Sequence, residues 1–337
     1  MTMKIVLDVM GSDNYPVPDV AGAVLAAQEF GDEIILVGDK SRVQAELDKH
    51  ETAGLLLSIV HASQTIEMTD KPVQAIKSRP DSSVVVGINL VKSGAADAFV
   101  SAGNTGGVLA GALFRLGRIR GIRRPGLTTL FPLPSGPVVL LDIGANADCK
   151  PEYLYQFGLM GNAYAERVMG IERPKVATLS NGEEAGKGNA LIREAFSRLQ
   201  DSPLNFIGNI EPKELLAGKV DVVVTDGFTG NVFIKSAEAV LKMLTGMISE
   251  QIRANFITTM GGLLVKPALG RVKEQLDSSR IGGAVLLGVR GIVIIGHGRS
   301  NALAIKNAIR QARTAVEGEL LTAIQEGLAT TQPLKEN

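Results

Sequence analysis

Cysteine, histidine and net charge are scarce in this chain of 337 residues. A single cysteine, Cys149, excludes an internal disulfide framework, and with only three histidines there is no Cys/His cluster for a structural zinc site. Lys and Arg number 35 and Asp and Glu also number 35, so the composition does not favour the broad basic surface of a nucleic-acid-binding protein. We therefore expect a protein of the reducing cytoplasm with no nucleic acid partner.

Long apolar runs are also missing. No uncharged apolar segment reaches 18 residues, and the apolar run before Asp8 is too short for a signal peptide. The sequence thus indicates a cytoplasmic protein that is soluble or that contacts a membrane from one side only.

What the sequence does contain is a regular alternation of short apolar runs and helical-period stretches. The runs that predict buried strands are 5–7, 34–37, 98–100, 138–141, 175–179, 222–224 and 292–295. The stretches that predict helices are 19–30, 83–92, 153–169, 189–199 and 302–317. This alternation is typical of a three-layer α/β protein, so we expect one catalytic α/β domain over residues 1–330 and a frayed tail at 331–337.

Polar residues and glycines follow nearly every predicted strand. Ligands of α/β proteins lie beyond the carboxyl ends of the strands, so these residues predict a shared polar site, although ordinary turns have a similar composition. The segment SAGNTGG at 101–107 precedes an apolar helical stretch. Its glycines allow close approach to the backbone, and a helix that begins there directs free N–H groups at a ligand, which favours an anion.

Familiar phosphate loops do not explain these segments. The spacing Gly182, Gly186, Lys187, Gly188 lacks the pattern of a Walker A loop, and no G-x-G-x-x-G follows the first strand. Lys187 remains either a point charge for a phosphate or a solvated loop lysine.

Seven segments together resemble a known family. They are LDVMGSD (7–13), VSAGNTG (100–106), DIGAN (142–146) with DCKPE (148–152), GNIE (208–211), VTDGFTGN (224–231), GGA (282–284) and GHG (296–298). In this order they resemble the PlsX family of phosphate acyltransferases over nearly the whole chain. The resemblance implies transfer of a long-chain acyl group from acyl carrier protein to inorganic phosphate, which yields acyl phosphate for phospholipid synthesis. It also implies an isocitrate dehydrogenase-like three-layer α/β/α sandwich, related to phosphate acetyltransferase, in a homodimer without cofactor or metal.

Site residues follow from the resemblance and from the chemistry of phosphate attack on a thioester. Asp226 resembles the aspartate of an Asp-x-x-x-Gly-Asn segment in phosphate acetyltransferases, so it is either a base or orienting group, or a turn-forming residue. His297 is expected to stabilise the oxyanion or assist the leaving thiol, the alternative being a core histidine. Lys187 completes the predicted catalytic set. The predicted phosphate- and substrate-binding residues are Asp8, Gly11, Ser101, Asn104, Thr105, Gly106, Asn146, Asn181 and Asn231.

Cys149 is interpreted as a structural thiol rather than a nucleophile, because no histidine can be placed beside it.

Residues 236–277 have apolar positions at three- and four-residue spacing, which predicts a long helical, hairpin-like insertion. Within it, residues 256–267 combine large apolar side chains with glycines and precede several cations. This part is expected to contact a membrane interface, the alternative being burial in a dimer contact.

A basic cluster follows the SAGNTGG helix and contains Arg115, Arg118, Arg120, Arg123 and Arg124. It is a candidate docking surface for the acidic acyl carrier protein, the alternative being a solvated helix end.

Two other activities stay open: a phosphate acetyl- or butyryltransferase that uses acyl-CoA, and an isocitrate dehydrogenase-like NAD-dependent oxidoreductase.

Overall fold

A computed structural model describes residues 2–275 and 278–330. Its described residues form one sheet of eleven strands, in the order β3-β2-β1-β4-β11-β10-β5-β6-β9-β7-β8. The strands are β1 (Lys4–Asp8), β2 (Glu33–Gly38), β3 (Leu57–His61), β4 (Ala98–Ser101), β5 (Gly126–Phe131), β6 (Val138–Leu141), β7 (Lys175–Leu179), β8 (Asn205–Ile210), β9 (Val222–Val224), β10 (Ala284–Leu287) and β11 (Ile292–Ile295). The seven predicted strands are all present, because each is a short apolar run buried on both faces of the sheet.

Helices cover both faces of this sheet. They are α1 (Val17–Phe30), α2 (Lys40–Leu47), α3 (Pro72–Ser78), α4 (Ser83–Lys92), α5 (Thr105–Arg115), α6 (Pro151–Met169), α7 (Ala190–Gln200), α8 (Pro212–Leu216), α9 (Gly227–Ile252), α10 (Phe256–Gln275), α11 (Ala302–Glu317) and α12 (Leu320–Ala329). Helices α1, α2, α6, α7, α11 and α12 pack on one face. Helices α3, α4, α5 and α8 and the start of α9 pack on the other. The predicted three-layer α/β/α arrangement is confirmed.

Four strands were missed by the sequence analysis: β3, β5, β8 and β10. Strand β3 is only half-buried, and β5 and β8 mix apolar with polar residues or glycine, so their apolar runs are interrupted. Two of the missed strands change the topology. Strand β10 is antiparallel to β11, β5 is antiparallel to β10, and β6 is antiparallel to β5. After these three reversals, β6 and the parallel strands β9, β7 and β8 run opposite to β1, β4 and β11.

The register shows where the strands end. Leu141, the last residue of β6, lies opposite Thr128, and Thr128 pairs with Val285. Val285 pairs with Ile294, which lies beside Val100, one residue before the end of β4. Beyond these residues β4 and β6 continue in opposite directions. We call the edge where β1, β4 and β11 end the first edge, and the edge where β6, β7 and β9 end the second edge.

The predicted insertion at 236–277 is present as two helices. Helix α9 begins earlier than predicted, at Gly227, because Asp226 caps it, and α10 follows after a break at 253–255. Large apolar side chains on both helices are exposed, including Phe256, Ile257 and Leu264, which are 79%, 81% and 84% exposed. The end of the predicted insertion, Leu276 and Asp277, and the predicted frayed tail 331–337 lie outside the described residues. No helix in the described ranges is long and apolar enough to span a bilayer.

Candidate functional site: two polar edges and a basic groove

The first edge is built by loops that approach each other closely. A side chain on Gly11 would place its Cβ 2.7 Å from the backbone nitrogen of Gly103, so only glycine fits between the loops after β1 and β4. The N–H of Asp13 donates to the carbonyl of Gly298, at 2.7 Å, which joins the loop after β1 to the loop after β11. Three strand ends are thereby tied into one surface.

Buried carboxylates hold this surface from beneath. Asp8 accepts hydrogen bonds from the Ser101 hydroxyl (2.7 Å) and from the N–H of Met10 (3.0 Å), and Asp19 accepts from the Ser12 hydroxyl at 2.5 Å. Burial raises the pKa of both carboxyls, and the charge of Asp8 contributes to a pKa of about 7 for Asp19. The predicted substrate residues Asp8 and Ser101 are almost fully buried, so they position the loops.

Asn104 is the N-cap of α5, and hydrogen bonds within the protein engage its side chain. Its Oδ1 accepts from the N–H of Gly107 at 3.0 Å, and its Nδ2 donates to the carbonyls of Glu67, Met68 and Asp70 at 3.1–3.2 Å. The next two residues differ: Thr105 is exposed and Gly106 is half-buried. No group in the described part of the chain accepts from their backbone N–H groups, which are the first two of the helix. The anion site predicted at SAGNTGG is therefore reduced to the backbone and hydroxyl at the start of α5.

His297 is exposed at the same edge, so it is not a core histidine. Its Nε2 lies 4.0 Å from a carboxylate oxygen of Glu238, and the guanidinium of Arg299 lies 3.6 Å from the other oxygen. Glu238 belongs to the middle of α9, and the sequence analysis did not single it out. The one feature of the sequence that could have pointed to Glu238 is that it is a charged residue within the apolar pattern that begins at 236.

The second edge is organised by the buried carboxylate of Asp142. Its two oxygens accept from the backbone N–H groups of Leu127, Gly144, Ala145 and Asn146 at 2.8–3.1 Å. Burial raises the pKa of Asp142, while these hydrogen bonds oppose the rise. The carboxylate thus fixes the whole DIGAN segment.

Two predicted ligand residues, Asn146 and Asn231, also hold this segment. The Nδ2 of Asn146 donates to the carbonyl of Pro125 (2.8 Å) and to Asp142 (2.9 Å), and the Nδ2 of Asn231 donates to the carbonyl of Ile143 at 2.9 Å. Like Asn104, these two asparagines form the protein scaffold around the loops.

Asp226 caps α9 at the second edge. Its Oδ1 accepts from the N–H of Thr229 and its Oδ2 from the hydroxyl of Thr229, both at 2.8 Å, and the residue is 8% exposed. The neighbouring N–H of Gly227 donates to the carbonyl of Asn146, at 2.8 Å. The geometry shows the capping role; a role as a base remains a prediction.

The loop after β7 also lies at this edge, since β7 pairs in parallel with β9. Asn181 accepts from the N–H of Gly188 through its Oδ1, at 2.9 Å, while Lys187 is exposed. Asn181 therefore shapes the loop that presents Lys187.

The predicted residues fall into two groups along the sheet. Asp226 precedes α9 and Glu238 contacts His297 twelve residues later, which corresponds to about 18 Å along the helix axis. At the first edge lie Asp8, Gly11, Ser101, Asn104, Thr105, Gly106 and His297, and at the second lie Asn146, Asn181, Lys187, Asp226 and Asn231. β10 and β5 reverse the strand direction between the two sets. Because Leu141 is level with Val100, both sets of strand ends lie at the same height along the strands, and one shared strand-end site stays a prediction.

A basic groove of about 860 Å³ adjoins the second edge. It is lined by the cations Arg118, Arg123, Arg124, Lys150 and Arg198 and by the acidic Glu152 and Glu194. The Gln156 side chain, itself buried, holds the 121–123 turn through the N–H of Arg123 (2.8 Å) and the carbonyl of Gly121 (2.8 Å). Three of the five predicted docking arginines line this groove; Arg115 and Arg120 do not.

Cys149 lies between the groove and the Asp142 loop. Its Sγ is 3.5 Å from the carbonyl of Asn146. Burial raises the pKa of the Cys149 thiol to about 12, and the charges of Asp142, Asp226 and Asp148 add to the rise. The nucleophilic form of a cysteine is the thiolate, so this environment favours a structural thiol.

Comparison with known proteins gives the family. The family model described as fatty acid synthesis protein matches residues 3–322. The chain belongs to this family, the PlsX family. A phosphate acyltransferase of Herpetosiphon aurantiacus is 47% identical over 98% of this chain and 99% of the relative, and one of Dictyoglomus turgidum is 48% identical over 97% and 98%. The predicted class of enzyme, an acyltransferase, is confirmed.

Solved structures support the fold. A phosphotransacetylase from Streptococcus pyogenes aligns with a TM-score of 0.61 at 21% identity, over 93% of this chain and 94% of the other. A 4-hydroxythreonine-4-phosphate dehydrogenase from Klebsiella pneumoniae aligns with a TM-score of 0.54 at 13% identity, over 94% and 100%. At such identities the likeness concerns the fold alone, and it confirms the isocitrate dehydrogenase-like sandwich.

We expect the Cys149 thiol to resist alkylation in the folded protein. A pKa of about 12 leaves roughly a thousandfold less thiolate at pH 8 than an ordinary cysteine has. Iodoacetamide labelling followed by mass spectrometry measures this, and the same protein unfolded in urea, where labelling returns to the ordinary rate, is the control. Fast labelling of the native protein at pH 8 would show that Cys149 is an activated thiol.

Proposed function

We propose that this protein transfers a long-chain acyl group from the thioester of acyl carrier protein to inorganic phosphate and releases acyl phosphate. The observation that carries the reaction class is the similarity over nearly the full chain to relatives named phosphate acyltransferase. The donor, the product and the placement of phosphate are argued below from the chemistry of the described residues.

Phosphate binds at the start of α5. The N–H groups of Thr105 and Gly106 are free of protein acceptors, and the positive end of the helix dipole favours an anion there. His297 and Arg299 supply positive charge or hydrogen-bond donors at the same edge. The lack of a side chain at Gly106 lets Pro72 pack against this turn, because a Cβ there would lie 2.6 Å from the Pro72 Cγ.

The reaction needs no acyl-enzyme. An oxygen of HPO₄²⁻ attacks the thioester carbonyl carbon, the new C–O bond forms, and the C–S bond breaks after a tetrahedral oxyanion. The phosphate proton ends on the departing sulfur, so the products are acyl phosphate and the free thiol. Within one chain His297 is better placed than Asp226 to carry this proton, because the first edge also holds the start of α5.

The basic groove receives the carrier protein. Acyl carrier protein is acidic, and the groove lining has five cations and two carboxylates, one of which, Glu194, pairs with Arg198 at 3.1 Å. Leu113, near the end of α5, lines the groove, and it follows Thr105 by eight residues, or about 12 Å along the helix. A flexible thioester arm docked at the groove therefore has to extend along α5 to reach the phosphate.

The hairpin of α9 and α10 serves assembly and membrane contact. Its exposed apolar side chains have no partner in the described chain, and residues 256–267 carry the most exposed of them, with Lys266 and Arg271 nearby. Such a tip suits a lipid interface with anionic headgroups, and the apolar residues of α9 suit a homodimer contact. Peripheral membrane location is sensible for an enzyme whose product is a lipid intermediate.

The activity itself is tested by incubating the protein with palmitoyl-acyl carrier protein and phosphate and detecting palmitoyl phosphate by mass spectrometry.

Asp226→Asn keeps the helix cap but cannot act as a base, whereas Asp226→Ala removes both. If Asp226 only caps α9, Asp226→Asn retains activity while His297→Gln loses about 10²-fold or more.

A loss in folded Asp226→Asn as large as in His297→Gln would restore Asp226 as the base. Turnover of short acyl-CoA without turnover of the carrier-protein thioester would overturn the proposed donor and favour a phosphate acetyl- or butyryltransferase.

Charge reversal in the groove is expected to weaken the carrier protein's binding. Lys150→Glu and Arg123→Glu should raise KM for acyl carrier protein about tenfold and leave kcat nearly unchanged, with a smaller difference at high salt. Steady-state kinetics at two ionic strengths measure this. Lys219→Glu reverses a cation that is exposed like Lys150 but lies outside the groove lining, and it should change nothing; an equal effect there would argue against the groove.

The two parts of the hairpin are separable by mutation. Leu264→Glu should abolish co-flotation with vesicles that contain anionic phospholipid and leave the oligomeric state intact, because a charge at the apolar tip cannot enter the interface. Met243→Glu should instead dissociate the dimer in analytical ultracentrifugation, with Ser249→Glu as the control on the same helix. Dissociation by Leu264→Glu with unchanged flotation would assign the tip to the dimer.

A further inference from the structure

A second cavity, of about 440 Å³, lies away from the groove and from both sets of predicted site residues. It is open to solvent and is lined by the β5–β6 connection, the end of α6, residues 280–281 and one side of α11. Its apolar wall contains Leu130, Leu133, Val168, Met169 and Ile281, together with three prolines of the connection. The size falls in the range of about 300–1,000 Å³ typical of small-ligand pockets.

One side chain of this cavity is incompletely hydrogen-bonded. Gln311 is 8% exposed, and its Oε1 accepts from the N–H of Gly283 at 3.2 Å. Its Nε2 is buried and has no acceptor among the described residues. A buried donor without a partner is unfavourable, so a ligand that brings an acceptor oxygen to the Gln311 amide would remove the penalty.

The remaining polar groups of the lining are donors or cations. Arg310 is exposed at the cavity, where its guanidinium donates to the carbonyl of Arg280 at 3.0 Å, and no carboxylate of the described chain pairs with it. The Tyr164 hydroxyl lies near Gln311 but does not complete a hydrogen bond with its Nε2. Burial raises the pKa of Tyr164, so its hydroxyl stays protonated. No aspartate or glutamate among the described residues is part of the lining. The cavity therefore combines an apolar wall with positive charge and unmet donor capacity at one side.

The cavity is separated from α9 by the sheet. Tyr164 belongs to the core on the face of α6 and α11, whereas Phe131 belongs to the core on the other face and packs against Phe233 of α9, with ring centroids 5.5 Å apart. A ligand here would lie across the β5–β6 connection from the hairpin helix, outside the place assigned above to acyl transfer.

We propose that this cavity binds a single-chain lipid anion, with the hydrocarbon chain against the proline-rich apolar wall and the anionic head at Arg310 and Gln311. The head is a carboxylate or a phosphate monoester, since both offer acceptor oxygens and negative charge. The site goes beyond the proposed reaction and does not depend on which thioester is the donor.

Binding is measured by isothermal titration calorimetry of the full chain with palmitate, with hexadecylphosphonate as a stable analogue of an acyl phosphate, and with hexadecanol as the neutral chain. We expect saturable binding of the anions, one per chain, and weaker binding of hexadecanol. Arg310→Gln, at an exposed position that tolerates substitution, should weaken the anions about tenfold. Gln311→Glu keeps the acceptor for Gly283, replaces the unmet donor by an acceptor, and should weaken them at least as much.

Lys175→Gln removes an exposed cation elsewhere and should leave binding unchanged. Tighter binding of palmitate would identify the natural ligand as a free fatty acid. Tighter binding of the phosphonate would identify it as an acyl phosphate. Palmitate carrying a photoreactive diazirine should label the end of α6 or the β5–β6 connection. Absence of saturable binding, unchanged affinity in both variants, or labelling confined to residues 240–265 would overturn the proposal.

Discussion

Two antiparallel strands in the centre of the sheet, β10 and β5, set the plan of this molecule. A sheet of parallel strands alone would bring all of its carboxyl ends to one edge. Here the reversal makes β6, β7 and β9 run opposite to β1, β4 and β11, and the stagger of the strands brings both sets of carboxyl ends to the same height. Helix α9 starts at the second edge and reaches the first with Glu238, so it contacts polar residues of both.

Buried carboxylates and asparagines explain why so many polar side chains are unavailable to a ligand. A loop that crosses a strand end exposes backbone N–H and C=O groups that need partners once buried. Asp142 satisfies four such N–H groups, and Asn104 joins one N–H and three carbonyls. These residues leave backbone groups free at the start of α5. This explains how the proposed anion site there can lack a dedicated side chain.

The hairpin of α9 and α10 differs from the rest of the fold in its exposed apolar surface. Most of the sandwich is covered on both faces by helices, yet α10 and the second half of α9 project apolar side chains that the described chain does not cover. Such surface is costly in water, so its presence on an otherwise well-packed protein supports contact with a second apolar surface. Since α9 also contacts His297 through Glu238, the proposed assembly at the hairpin and the proposed chemistry at the first edge share one helix.

Sequence alone determined seven of the eleven strands, the family and the class of enzyme. Periodicity is a local property, so the apolar runs predicted seven strands, and the segments SAGNTGG and VTDGFTGN carried the resemblance. Tertiary structure decided the rest. The direction of β6 depends on pairing with β5, a strand whose apolar pattern is interrupted by two threonines. Whether Asn104 or Asp226 is free depends on partners such as Met68 and Thr229, and the cavity at Gln311 depends on four segments that are separated in the chain. These are contacts between separated residues, and no local pattern encodes them.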